Sequence, residues 1–307
     1  MPDCRRLEAA ELGHALGLLL AVPGDGRPAG AGPVQDFRNY LRDSGVQWFG
    51  LQVSTGDQFS ALFFSLILPG RTAIVMLPSP GELGIDNELQ LDLTRTGLAA
   101  LADRSLHYAQ LLLEPEAAAR RTLALAAGFR FLAPLRYLER DITYPWTDPP
   151  PPGSAAWVPY GPASHADFAA VVAATYERSL DCPELTGIRP IDDVLAAHKA
   201  AGPFDPALWE LARVGDQLAG CLLLSRVAQG GWLDVVYMGV VPSQRGRGVG
   251  ELLLRRALVH CRRTGARRLT VVVDDRNAPA RRLYQRFGMR PVARRDAYWW
   301  RGSGTDG

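Results

Sequence analysis

The 307-residue sequence predicts an α/β protein in which helices flank a central sheet, arranged as two tandem domains of similar build. Three observations predict it. Strand-like apolar runs alternate with segments of helical period through both halves of the chain, the pattern that buries a sheet between helices. Pro145, Pro149, Pro150, Pro151 and Pro152 gather between the halves as a semi-rigid linker. A shift of 160 residues lays runs of the first half on runs of the second without a gap.

Apolar residues at near-helical spacing predict a helix within residues 1–22, closed by the Gly/Pro/Ala loop Pro23 to Pro33. Strands follow at Trp48 to Val53, Ser60 to Leu68 and Thr72 to Leu77, the last two joined in a hairpin by Pro69-Gly70. The first half closes with helix Leu89 to Asp103, strand Leu106 to Leu113, helix Glu116 to Ala127 and strand Phe131 to Arg140.

The second half opens with strand Ala156 to Tyr160 and helices Ser164 to Arg178 and Ile191 to Ala201. Strands at Leu208 to Val214, Leu218 to Val227 and Trp232 to Val241 precede helix Val249 to Arg263, whose apolar face is Val249, Leu252, Leu253, Leu254, Ala257, Leu258 and Cys261. Strand Arg268 to Val273 leads to a helix with Asn277 as N-cap, Pro279 in its first turn and Gly288 at its stop. Met289 to Ala293 and Ala297 to Arg301 are expected to form a last hairpin. The expected domains are residues 1–144 and 155–301, with 145–154 the linker and 302–307 a disordered tail. In the shifted alignment Trp48 to Val53 meets Leu208 to Arg213, Arg121 meets Arg281, and Gly128-Phe129-Arg130 meets Gly288-Met289-Arg290.

With 47% hydrophobic and 21% charged residues, the composition is that of a globular chain able to bury a sizeable core. No apolar run approaches the roughly 20 residues of a membrane-spanning helix, and Asp3, Glu8 and Glu11 stand where a signal peptide would be basic, so a cytoplasmic location is expected. Cys4, Cys182, Cys221 and Cys261 lack paired spacing, and the histidines lack metal or triad spacing, so neither a disulfide framework nor a metal site is expected. His165, His198 and His260 read as surface or helix-face residues. The net charge of +2 hides an asymmetry: residues 242–301 hold sixteen arginines against Glu251, Asp274, Asp275 and Asp296, so this segment is +12 and the remainder −10. Such a block suits a polyanion, either nucleic acid or a phosphorylated cofactor.

The segment Val236 to Gly250 decides between them. Gln244-Arg245-Gly246-Arg247-Gly248-Val249-Gly250 follows a strand and opens a helix, so its backbone N–H groups can approach a pyrophosphate at a helix N-terminus. It lacks the Lys-Ser or Lys-Thr of a nucleoside-triphosphate loop and the dinucleotide-binding spacing. With the strand at Val271 and the segment Asn277 to Met289, the region from about 155 to 301 resembles the GCN5-related N-acetyltransferase (GNAT) family.

The resemblance implies a mostly antiparallel central sheet flanked by helices in two tandem acyl-CoA N-acyltransferase-like domains. It implies transfer of acetyl from acetyl-CoA to a primary amine by direct attack in a ternary complex. Cofactor contacts would come from Met238, Gly239, Val240 and Val241 at the thioester, from Gln244, Arg245, Gly246, Arg247, Gly248, Val249 and Gly250 at the pyrophosphate, and from Asn277 and Tyr284. Tyr284 would be the general acid, or else an aromatic packed on the sheet. Asp234 would be the base, or else a solvent-facing strand residue bridging an arginine. Asn277 can cap its helix as well as touch the cofactor. On the acceptor side the resemblance implies the loop Asp181 to Arg189, with Asp181, Glu184, Tyr176 and Trp209 as candidate pocket residues.

In the first half the shift puts Asp86 and Glu88 where the phosphate turn lies, Ala124 at Tyr284 and Ala117 at Asn277. That copy is therefore expected to keep the fold without the cofactor motif. Rival activities are transfer of another acyl group, transfer from aminoacyl-tRNA, and a non-catalytic acyl-CoA or nucleic-acid-binding role; no aromatic platform interleaves the arginines as nucleic-acid binding would need. The acceptor is expected to be a small-molecule amine or a peptide amino group, with no membrane partner, and the chain a monomer or homodimer.

Overall fold

The computed structural model describes residues 4–22, 24–142, 155–227 and 231–302. The proline linker and the tail beyond Gly302 lie outside the described residues. Two compact units emerge: Met1–Leu132 with Arg295–Gly307, and Ala133–Arg294. Residues 133–142 of the first half group with the second unit, and residues 295–302 group with the first.

The first half runs β1 (Arg5–Arg6), α1 (Leu12–Leu19), α2 (Ala31–Ser44), β2 (Gln47–Thr55), β3 (Gln58–Leu68), β4 (Thr72–Met76), α3 (Asn87–Ala102), β5 (Tyr108–Leu113), α4 (Ala118–Ala126) and β6 (Arg130–Asp141). The second runs β7 (Ala156–Pro159), α5 (His165–Tyr176), α6 (Ile191–Lys199), β8 (Trp209–Val214), β9 (Gln217–Val227), β10 (Trp232–Val240), α7 (Val249–Thr264), β11 (Arg268–Asp274), α8 (Ala278–Arg286) and β12 (Arg290–Trp300).

In the first unit β1 to β4 pair antiparallel in sequence order, β4 pairs parallel with β5, and Asp296 to Trp300 of β12 pairs antiparallel with β5. The second unit repeats the plan. There β7 to β10 pair antiparallel, β10 pairs parallel with β11 from Leu233 to Val235, and Leu135 to Asp141 of β6 pairs antiparallel with β11. Each unit thus receives its final strand from the other half of the sequence. The sheets are mixed and mostly antiparallel, as expected.

The duplication also shows in single bonds. Arg121 Nη1 donates to the Pro115 carbonyl at 3.1 Å, and Arg281 Nη1, 160 residues on, donates to the Asp275 carbonyl at 2.7 Å. Gly128 and Gly288 both stop their helices at positive φ, +100° and +69°.

Three sequence expectations are corrected. The amino-terminal helix is an eight-residue α1 preceded by the short β1, and α2, absent from the sequence reading, begins inside the Gly/Pro/Ala loop. Pro33 sits in the first turn of α2, where its missing N–H costs nothing. The expected last hairpin is one continuous eleven-residue strand, β12. His260 is buried rather than superficial, because Glu210 accepts from its Nε2 at 2.8 Å.

Apolar strand faces and helix stripes build the cores. In the second unit the α7 face predicted from the sequence is buried, together with Phe168, Trp209, Leu211, Leu222 to Leu224 and Val271. In the first, Phe63 packs so closely on α3 that a Cβ at Gly97 would lie 2.5 Å from its ring.

Candidate active site

The site is built where β10 and β11 part. Their register ends at Val235↔Val271, yet β11 runs on to Asp274. At the same point β10 shifts register against β9 between Val235 and Tyr237. The extra residue is Val236, and a bulge there twists the strand away from its parallel neighbour. Met238, Gly239 and Val240 therefore pair with β9 residues Leu222, Cys221 and Gly220 on one side only.

Two glycines let the layers close here. A Cβ at Gly239 would stand 2.7 Å from the Thr175 side chain of α5, and a Cβ at Gly220 would stand 2.5 Å from the Gly239 carbonyl oxygen. Thr175 Oγ1 donates to the Val172 carbonyl at 2.7 Å and lies 2.7 Å from the Tyr237 hydroxyl, so it accepts from that hydroxyl. Tyr237 also stacks on His198, ring centroids 5.0 Å apart, and lies against Tyr176 at 5.4 Å. Burial first, then Arg189, lowers the His198 pKa to about 4, so this ring stays neutral beside the strand at neutral pH.

After β10 the chain makes a short 3₁₀ turn, Pro242–Gln244, and then the glycine-rich bend. Gln244 is buried, donating Nε2 to Gln217 at 2.8 Å. Arg245 spends its guanidinium on three carbonyls, those of Val240 at 3.1 Å, Arg178 at 2.9 Å and Thr175 at 2.9 Å. Gly246 and Gly248 hold φ of +75° and +84° with nothing within 4 Å of a would-be Cβ. Arg247 is exposed and makes no hydrogen bond or ion pair among the described residues. Gly248 is the N-cap of α7 and no side chain caps the first turn, so the leading N–H groups, Val249 and Gly250 included, face an open cradle. Gly250 lets α8 close in: its Cβ would lie 3.2 Å from Leu283.

Among the described residues this differs sharply from the first unit. There the N-cap of α3 is Asp86, whose Oδ1 accepts from Leu89 N at 2.9 Å. A carboxylate fills the position that Gly248 leaves free.

Asp234 sits opposite Ser225 on β9 and Thr270 on β11, and its Oδ1 accepts from Thr270 Oγ1 at 2.5 Å. Burial raises its pKa, against the opposing pull of Thr270. Tyr284, on α8, is 5% exposed, and its hydroxyl makes no hydrogen bond among the described residues. Burial raises its pKa and the nearby Asp181 carboxylate adds to the rise. Asn277 caps α8, accepting from Ala280 N at 3.2 Å.

The acceptor-side candidates fall in three places. Tyr176 lies against Tyr237, as described. Asp181 Oδ1 accepts from Asp274 N at 2.9 Å, and Glu184 is held by both terminal nitrogens of Arg276 at 2.8 and 3.1 Å. Trp209 is a correction: it is 1% exposed, enclosed by Tyr160, Phe168 and Phe204, and is core rather than pocket lining. His198 is another, half-buried in the ring stack rather than superficial. Sequence reading missed Thr175, Thr270, Asp274 and Arg276. Only the last two carried a signal, the charged triplet Asp274-Asp275-Arg276 directly before the Asn277 cap.

The basic block is corrected as well. Arg256 binds Glu210, Arg255 binds Glu251, Arg268 and Arg290 bind Glu139 and Asp141, Arg276 binds Asp274 and Glu184, and Arg281 and Arg294 bind Asp275. Much of the segment's charge is answered within its own unit.

Residues 173–289, from the last turn of α5 to just past α8, match the Acetyltransferase (GNAT) family. Over this segment, less than half of the chain, the second unit is similar to GNAT acetyltransferases. Mycothiol acetyltransferase of Beutenbergia cavernae is 32% identical over 183 residues, 56% of this chain and 60% of that protein. Mycothiol acetyltransferase of Thermobispora bispora is 29% identical over 196 residues, 62% and 65% of the two chains. Both matches span less than two thirds of the relative's length. Among solved structures, a GCN5-related N-acetyltransferase from Sphaerobacter thermophilus superposes with a TM-score of 0.68 at 21% identity, covering 97% of this chain and 95% of the other. A tandem GNAT protein from the clavulanic acid biosynthesis pathway superposes with a TM-score of 0.54 at 14% identity, covering 99% of both. These likenesses establish a GNAT fold of two domains. No helix among the described residues is long and apolar enough to cross a membrane.

Proposed function

We propose that the second unit is an N-acetyltransferase that binds acetyl-CoA and passes the acetyl group directly to a primary amine. The observation that carries this is the open, uncapped cradle Gly246 to Gly250 at the N-terminus of α7, beside a strand that has just parted from its neighbour. Backbone N–H groups and a helix dipole favour a pyrophosphate there, and Arg247, exposed and without an ion pair among the described residues, adds charge beside them. When bound, acetyl-CoA supplies an activated acyl carbon and a thiolate leaving group. Val241 N already donates to the Ala219 carbonyl at 3.0 Å, so the acyl oxygen would draw its donors from the backbone of Met238 to Val240 as charge develops on it. Asp234 takes a proton from the attacking amine nitrogen, directly or through one water, and burial raises its pKa above the ordinary carboxylate value, which makes it a stronger base. Tyr284 gives its hydroxyl proton to the departing sulfur; burial keeps that proton in place until then. Asn277, as cap of α8, fixes the start of the helix that carries Tyr284.

The first unit is proposed to keep the fold without the cofactor: Asp86 occupies the helix cap and Ala124 and Ala117 stand in place of Tyr284 and Asn277. The mycothiol acetyltransferase relatives favour a small-molecule acceptor over a protein amino group.

Calorimetric titration with acetyl-CoA is expected to give one site per chain, and two sites would refute the cofactor-free role of the first unit. A panel of primary amines, among them spermidine, glucosamine, kanamycin and an alanyl peptide, followed by thiol release, identifies the acceptor. With that acceptor, Tyr284→Phe is expected to lower kcat roughly 100-fold while leaving acetyl-CoA affinity within a few-fold, the scale of a lost general acid. An unchanged kcat across pH would remove Tyr284 from the reaction.

A further inference from the structure

Across β10, β11 and β6 the sheet of the second unit has two unlike faces. Leu233, Val235, Leu269, Val271, Val273 and Leu138 are buried in the core. Strand alternation therefore turns Asp234, Arg268, Thr270, Val272, Glu139 and Tyr137 to the other face. Register sets these in rows. Asp234, Thr270 and Glu139 lie side by side, and in the next row Val272 stands opposite Tyr137, where β10 has already parted from β11. Val272 is 39% exposed and Tyr137 is half-buried. A single exposed valine is ordinary on a protein surface. This one joins an aromatic ring next to the proposed base, at the mouth of the split that would present the acyl carbon.

The charges on this face are settled unevenly. Arg268 Nη1 meets Glu139 at 2.9 Å and its Nε meets Asp141 at 3.1 Å, while Arg290 Nη2 reaches the same two carboxylates at 3.3 and 2.5 Å. The Asp234 side chain has only the Thr270 hydroxyl as a partner among the described residues. One carboxylate is thus left here for one ammonium. A second ammonium would meet Val272 and Tyr137, or would have to displace an arginine from Glu139. What the next row offers instead is apolar contact, reaching from beside Asp234 to β6, two strand spacings or about 10 Å away. A ring fits that span and can lie on the Tyr137 side chain.

We propose that the acceptor is a monoamine carrying a ring, its amine directed to Asp234 and its carbon skeleton laid on Tyr137 and Val272. Tyr137, which reaches this unit on the exchanged strand β6, is then a specificity-determining residue of the acceptor site. This deepens the acetyl-CoA reading given above and rests on it.

Steady-state turnover by the full chain at saturating acetyl-CoA tests the proposal, with 2-phenylethylamine and glucosamine as single amines and spermidine and kanamycin as polyamines. The better single amine is expected to exceed both polyamines in kcat/KM by roughly ten-fold or more. Tyr137→Ala should raise the KM of that amine roughly ten-fold while kcat and the acetyl-CoA dissociation constant stay within about two-fold, and Tyr137→Phe should restore it. Val272→Asp, at an exposed position, places a second carboxylate on the shelf and is expected to shift kcat/KM toward spermidine by roughly ten-fold. A chain that binds acetyl-CoA but prefers the polyamines, turns over neither single amine, or keeps its KM in Tyr137→Ala overturns the inference. If the wild type binds no acetyl-CoA, the acetyl-CoA reading falls instead; the shelf is then judged by calorimetric binding of 2-phenylethylamine, which Tyr137→Ala must weaken.

Discussion

Replacing Gly248 with glutamate is expected to abolish acetyl-CoA binding while leaving the chain folded. The two halves of that statement rest on different terms. Gly248 sits at φ +84°, where a Cβ costs about 1–2 kcal/mol, but nothing within 4 Å would collide with it. A carboxylate at a helix N-terminus recovers about 0.3–1 kcal/mol from the dipole and the free N–H groups. The net cost to folding is therefore about 1 kcal/mol. Binding is hit far harder, because the same N–H groups would serve the carboxylate and its charge would oppose the pyrophosphate. A loss of at least about 100-fold, or about 2.7 kcal/mol, is expected. The first unit already shows such a helix, with Asp86 closing α3. Gly248→Ala separates backbone strain from charge and should lose no more than about ten-fold. Calorimetry beside a thermal melt checks both variants, and a Gly248→Glu protein that binds acetyl-CoA within ten-fold of wild type would show that this turn is not the anion seat.

The strands and the long helices were legible in the sequence because their apolar periods are strong and because two copies of the pattern reinforce one another. Where the pattern was weak, reading failed. In α2 only Leu41 is buried, so fourteen helical residues carry little core signal, and Gly30, Gly32 and Pro33 look like loop. In β12 the charged run Arg294-Arg295-Asp296 resembles a turn, although it is the midpoint of one strand. Segment exchange between the units left no mark in local sequence at all, since each last strand looks the same whichever sheet receives it.

The site divides likewise. The glycine turn was legible because positive φ leaves few alternatives to glycine. Arg245 and Gln244 were named with it, but sequence could not show that a backbone clamp and Gln217 would engage them. Arg276 went unnoticed since Glu184, its partner, lies 92 residues away. Trp209 was misplaced because strand alternation tells which residues share a face and not whether that face meets the core or a cleft.

Glu210→Ala is expected to destabilise the second unit by about 3–5 kcal/mol, a large share of an ordinary domain's stability. Glu210 lies on β8 with its side chain 7% exposed, accepting from Arg256 Nε at 2.6 Å and Nη2 at 2.5 Å and from His260 Nε2 at 2.8 Å. Alanine would leave the buried His260 and the Arg256 guanidinium, which lies 5.0 Å from the Trp157 ring centre, without their carboxylate. Glu210→Gln keeps the shape and loses the charge, so a smaller effect follows, and its pH dependence is diagnostic. Burial alone would raise the Glu210 pKa; hydrogen bonds from Arg256 and His260 overcome it and bring it from 4.5 down to about 2. A carboxyl whose folded pKa is depressed contributes its full stability above the unfolded value and loses it as pH falls through the folded one. The contribution of about 3 kcal/mol is thus present above about pH 4.5 and disappears toward pH 2. Denaturant midpoints at pH 7 and pH 3 should show the gap between wild type and Glu210→Gln narrowing on acidification. A gap that is constant, or widens in acid, would mean that the ion pairs of Glu210 do not set the acid stability of this unit.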